Sequence, residues 1–198
     1  MNRSTLGSRP ISAQSVGISE RIRIEIKALL STKTLPALGP QARADALSEA
    51  ALNTKLDPVF RDAQLSVSQQ ELVRALLLLW HDHLDASHNI SQNIENADGS
   101  FVHALMHRRE PDYWNAKYWW RRGGAHPAFP EIARRTGELL KSSGNVKLAA
   151  KLLPGGHWDA CAFVDLCEQA TSDSQHVDLL RDIQRIETET LLESILAR

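Results

Sequence analysis

Apolar residues recur along most of this chain at spacings of three and four, the period of a helix with one buried face. The clearest stretch begins at Ser66. Leu72, Val73, Leu76, Leu77 and Trp80 form one stripe, Ser66 or Ser68 can cap its start, and Glu71 sits in the first turn. The pattern can continue to about Asn96, where Asp98-Gly99 stops it. Ser100 then caps a second helix through Arg109. Pro111 lacks the donor to extend that helix and instead opens a third, which runs to Arg122 and ends at Gly123-Gly124.

Upstream, Ile22, Ile24, Ile26, Leu29 and Leu30 with their charged neighbours predict a helix over Ile18 to Leu30. Helical spacing resumes from Gln41 to Asn53, and Pro58 closes that piece. Downstream, Pro127 opens a helix toward Leu140, and Asp159 to Ala170 and Val177 to Leu196 are the last helices. Ser142-Ser143-Gly144 and Pro154-Gly155-Gly156 read as loops. No strand alternation, internal repeat or low-complexity segment interrupts this pattern. The expectation is an all-α protein: one helical-bundle-like domain over residues 18–198, preceded by a flexible, disordered arm over residues 1–17.

Composition narrows the partners. The chain of 198 residues is 42% apolar and 24% charged, ordinary values for one globular domain. A net charge of −1 supplies no bulk field for nucleic acid or an anionic membrane, so neither partner is expected. No apolar run approaches the roughly 20 residues of a membrane span, and Met1 to Gly17 lacks the apolar stretch of a secretory signal. A cytoplasmic protein follows. Cys161 and Cys167 match no zinc spacing and are expected to be reduced thiols. The apolar stripe of Val177 to Leu196 can complete the core or join two copies in a homo-oligomer.

Chemistry concentrates between Trp80 and His126, which hold six of the eight histidines and four of the five tryptophans. On a continuous helix, His81, Asp85, His88, Gln92 and Glu95 form a narrow stripe beside the apolar face, where pockets between helices open. In the next helix His103 and His107 are four apart, so both imidazoles can reach one point above it, and Glu110 follows three residues on. The short Asp98-Gly99 link makes the two helices antiparallel neighbours and brings the stripes together. His81, His88, His103 and His107 are therefore the candidate ligands of a divalent metal, with zinc, iron, manganese or nickel all suiting imidazole and carboxylate donors. A metal-free polar pocket and a satisfied buried network are the competing readings of the same residues. His126 suits capping or loop packing, His157 a turn, and His176 solvent.

The third helix carries Trp114, Tyr118, Trp119 and Trp120, which cannot all face one way. Trp and Tyr rings stack on sugars and nucleobases, and arginine holds carboxylate or phosphate. Arg109 is read either as paired internally, for instance with Asp112, or as holding substrate. The run His107-Arg108-Arg109-Glu110-Pro111-Asp112-Tyr113-Trp114-Asn115-Ala116-Lys117-Tyr118-Trp119-Trp120-Arg121-Arg122, continuing to Pro127, resembles a segment of uncharacterised bacterial and fungal proteins. The resemblance spans the central third of the chain, including Trp80-His81. It implies no reaction and assigns no functional residues.

Two functions from different classes fit. One is a metal-dependent enzyme of hydrolase or lyase type acting on a small polar substrate. Histidines hold the metal, Glu110 or Asp85 is the general base, and Arg109 or Lys117 holds substrate charge. The other is a metal-free binding protein for a carbohydrate or nucleotide-like ligand, with Trp114, Tyr118, Gln92 and neighbouring donors lining the pocket. No nucleophile motif argues for a third class.

Overall fold

The computed structural model describes residues 13–170 and 176–198, with side chains from residue 20 onward. Among the described residues there are ten α-helices and no strands. They are α1 (Ala13–Ala28), α2 (Glu49–Asp62), α3 (Val67–Trp80), α4 (Leu84–Ser91) and α5 (Ala97–Arg109), then α6 (Tyr113–Gly123), α7 (Phe129–Ser142), α8 (Val146–Leu152), α9 (Ala160–Gln169) and α10 (Val177–Leu196). Residues 1–12 of the expected N-terminal arm lie outside the described residues, and 13–17 belong to α1.

Two helices are apolar or buried all round, which places them at the centre of the fold. In α3 every residue from Ala75 to Trp80 is buried, and in α5 every residue from Asp98 to Arg109. Helix α3 starts where the sequence predicts, with Ser66 and Gln69 closing a reciprocal capping box. Around the central pair, α4 and α6 pack on α5, α10 packs on α3 and α7, α9 covers α6, and α2 leans on α3. The apolar stripe of α10 is spent on this core, since Leu180, Ile183, Leu191, Leu192 and Ile195 are all buried.

Three expected boundaries differ. The long helix from Ser66 stops at Trp80 and restarts as α4, because Asp82 adopts a left-handed backbone (φ 67°). Aspartate tolerates that conformation better than most residues. Here its buried carboxylate is also held from two sides: Oδ2 accepts from the Arg43 backbone N–H (3.0 Å) and Nε (2.9 Å), and Oδ1 from Arg109 Nη2 (2.7 Å). The same two guanidinium groups donate to the carbonyls of Leu79 and Trp80, which have no partner within α3. Next, Asp98-Gly99 lies inside the first turn of α5 instead of stopping α3, and Asn96, not Ser100, is the cap, accepting from Gly99 N–H at 2.8 Å. Gly99 is needed there because a Cβ would sit 2.1 Å from the Ile94 carbonyl oxygen. Finally, Pro58 lies within α2, not at its end, with its face toward solvent, and the α2 cap is Ser48. Residues 41–48 form a loop because Arg43 and Asp45 bond to Asp82 and Thr34. Helix α8, with Leu148 and Leu152 buried, falls where the sequence pattern predicts no helix.

A second buried ion pair joins α5 to α10. Arg108 Nη1 lies 2.7 Å from Glu187 Oε2 with both side chains fully buried, and the Phe163 ring lies 4.5 Å from the guanidinium carbon. Burial pushes the Glu187 carboxyl up to about 7, against the pull of Arg108. Glu187→Ala strands the arginine charge and is expected to cost about 3–5 kcal/mol of unfolding free energy in urea titration. An Arg108→Met/Glu187→Leu double variant should recover most of that loss. A single variant within about 1 kcal/mol of the parent would contradict the account.

Candidate metal centre

The break after Trp80 turns α4 so that His88, near its C-terminal end, faces α5. There His103 and His107, one turn apart, stack at 4.7 Å between ring centroids with 17° between planes. His88 meets both edge-on, at 4.8 Å from His103 and 5.2 Å from His107. Among the described residues these three offer ligand nitrogens that all lie within 4.8 Å of one another. That is somewhat wider than the roughly 3.4 Å separation on a tetrahedral ion with bonds near 2.0–2.1 Å. His88 is half-buried on a short helix, so its side chain is the least confined of the three.

His103 is the unusual member. It is 3% exposed, and neither ring nitrogen has a hydrogen-bond partner. Its faces are covered instead. Trp119 of α6 stacks on one at 4.0 Å and 22°, and the Arg122 guanidinium lies 5.0 Å from the Trp119 ring. Burial, reinforced by His107, His88 and the Arg122 charge, pushes the His103 imidazole down to about 3. It therefore presents a free lone pair at neutral pH.

His107 is held by its neighbours. Its Nδ1–H donates to Glu110 Oε2 (3.0 Å), which leaves Nε2 as the acceptor, and there it takes a hydrogen bond from Asn115 Nδ2 (3.0 Å). An ion at Nε2 takes the place of that side-chain amide, which, unlike the backbone partners of His81, can turn aside. A carboxylate on the far nitrogen is the usual way a metal-binding imidazole is oriented and made more basic toward the ion. Burial lowers its pKa, with Glu110 opposing.

The other expected site residues are placed as follows. His81 is separated from the cluster: its Nδ1 accepts from Leu47 N–H (3.0 Å) and its Nε2–H donates to the Leu29 carbonyl (2.9 Å), so no lone pair is left for a metal. Asp85 is exposed and lines an open groove that also touches His83 and Glu110. Gln92 is exposed, reaching Asn89 Oδ1 at 3.5 Å. Arg109 is buried on Asp82, rather than on Asp112 or facing a ligand. Lys117 ties α6 to α9 through Asp165, with Glu168 at 4.0 Å. Trp114 and Tyr118 are exposed on the outer face of α6. His126 bonds Asp98 at 2.8 Å and accepts from Ala128 N–H, the loop-packing one of its two expected roles, since α7 has no side-chain cap. Trp119, expected to line a ligand pocket with Trp114 and Tyr118, instead covers His103, while Asn115 and Arg122 were not singled out by number as site residues. Asn115 and Trp119 share one face of α6 by their spacing of four, and that face meets α5.

No family model, curated protein or solved structure matches this chain. The chemistry of the site rests on its geometry.

Burial lowers the pKa of His81 as well as of His103 and His107. The unfolded chain takes up protons near about pH 6.5 that the folded chain refuses. Folding stability is then complete above that pH and falls as pH drops below it, by up to about 1.4 kcal/mol per pH unit for each group. Urea unfolding between about pH 7 and pH 5 should show this slope, and His103→Phe should lessen it. The Glu187 carboxyl, raised to about 7, works in the opposite direction over the same interval, so the difference between parent and His103→Phe isolates the imidazole; identical slopes would contradict the burial of a neutral His103.

Proposed function

We propose that His88, His103 and His107 bind a divalent transition metal, and that the protein is a metal-dependent enzyme of hydrolase or lyase type acting on a small polar substrate. The observation that carries this reading is the buried, unpartnered His103 beside two further imidazoles. Burying a polar ring without hydrogen bonds costs roughly 1–3 kcal/mol, and an ion bound by its lone pair offsets that cost. Three imidazoles suit zinc, iron, manganese or nickel, and three protein ligands leave one coordination position for water or substrate. A metal held this way supplies Lewis acidity and a bound water that is acidic near neutral pH.

The chain's own residues supply the rest. Glu110 orients His107 through Oε2, and because its side chain is half-exposed, Oε1 remains free to take a proton from water. Asp85 opens onto the same groove and is the second candidate base. Trp119 keeps water off one face of His103. We read the protein as cytoplasmic, since Cys161 and Cys167 are free thiols of the kind a reducing compartment maintains. No helix among the described residues is long and apolar enough to cross a membrane.

Elemental analysis of protein purified without a nickel column tests the reading. The parent should carry one metal per chain, with His103→Ala and His107→Ala each losing it and His81→Ala retaining it if folded. Equal metal content in parent and His103→Ala protein would overturn the assignment. In zinc titrations, Glu110→Gln should weaken affinity by about 10–100-fold, the usual effect of removing such an orienting carboxylate. Unchanged affinity would remove Glu110 from the site.

A further inference from the structure

The outer face of α6 is unlike the rest of the surface. Trp114 is 76% exposed and Tyr118 42%, and their rings are parallel within 11° at 6.2 Å between centroids. Large aromatic side chains are rarely left this open when they serve packing alone. The pair continues inward: Tyr118 meets the Trp119 ring edge-on at 5.5 Å, and Trp119 stacks on His103. Two flat rings at the surface thus lead by ring contacts to the buried histidine.

Charge at this face is also distinctive. Arg108, Arg109 and Lys117 are neutralised by Glu187, Asp82 and Asp165. Arg121 and Arg122, both exposed on the last turn of α6, have no carboxylate partner among the described residues. Arg122 rests over Trp119, with Nη1 3.4 Å from the Tyr118 hydroxyl, and its charge reaches His103. A neutral sugar would use the rings and leave two guanidinium groups unanswered. A free phosphate would use the guanidinium and leave the rings bare. A molecule with a flat ring and a phosphate uses both.

We propose that this face binds a nucleoside monophosphate-type molecule, its ring lying on Trp114 and Tyr118 and its phosphate held by Arg122 on the outer side of Trp119. As the identity of a substrate, this rests on the metal-enzyme reading above. As a binding site, it stands on the α6 face itself.

Calorimetric titration of the zinc-supplemented protein with adenosine 5′-monophosphate, adenosine and inorganic phosphate, with metal content measured on the same samples, tests it. The monophosphate should bind at least about tenfold more tightly than either fragment, as base stacking typically contributes 5–150-fold. Trp114→Ala should weaken the monophosphate and adenosine but leave phosphate unchanged. Arg122→Gln should weaken the monophosphate and phosphate but leave adenosine unchanged. Trp114 is exposed and away from the histidines, so Trp114→Ala should keep the parent's fold and metal; Arg122 lies over Trp119, so the phosphate effect of Arg122→Gln is read only on samples whose measured metal content equals the parent's. A monophosphate that binds no better than phosphate, or equally well to Trp114→Ala protein, overturns the proposal even where the metal is present. The full binding pattern in protein that carries no metal supports this ligand site and sinks the metal reading instead. A short single-stranded oligonucleotide should bind no more tightly than the monophosphate; tighter binding would make the ligand a nucleic-acid strand and overturn the small-molecule form.

Discussion

The Asp82 carboxylate, buried between Arg43 and Arg109, is the interaction on which the rest of the arrangement depends. It holds one residue in a left-handed conformation, and the same two arginines cover the terminal carbonyls of α3. Leaving out either arginine would leave the buried Asp82 charge half-compensated, and leaving out Arg43 would also strip the Trp80 carbonyl of its donor. The clamp ends one helix and aims the next. On an unbroken helix His81 and His88 would share a face. With the break, His81 turns toward Leu29 and Leu47, while His88 turns onto α5.

From that point the site assembles by stacking more than by hydrogen bonding. Arg122, Trp119, His103 and His107 form a layered column across α6 and α5, with His88 against its edge. Ring contacts fix the orientation of His103 without occupying its nitrogens, and burial keeps it neutral. The result is a preorganised donor, the condition under which a binding site loses least on loading.

Much of the fold was legible because it is written in local periodicity. Helix α10 has the predicted bounds, since its stripe is continuous, and α3 starts at its predicted cap. His103 and His107 were legible for the same reason, as a spacing of four within one helix needs no tertiary information. The break at Asp82 was not, because its cause is an arginine 39 positions away together with one on α5. The partners of Arg109 and Lys117 were illegible for a related reason: the sequence suggests that Arg109 pairs internally, but a carboxylate across the fold, Asp82 for Arg109 and Asp165 for Lys117, leaves no mark on local sequence. The roles of Asn115 and Trp119 required knowing which face of α6 meets α5.

The central claim is that three imidazoles, and not a fourth, share one ion. Long-range nitrogen–proton NMR of the histidine side chains during zinc titration reads this directly. The account predicts His107 as the Nδ1–H tautomer before zinc is added, then shifts of one ring nitrogen each in His88, His103 and His107, with both His81 nitrogens unmoved. A His103 spectrum that does not respond to zinc, or a His81 spectrum that does, would contradict it.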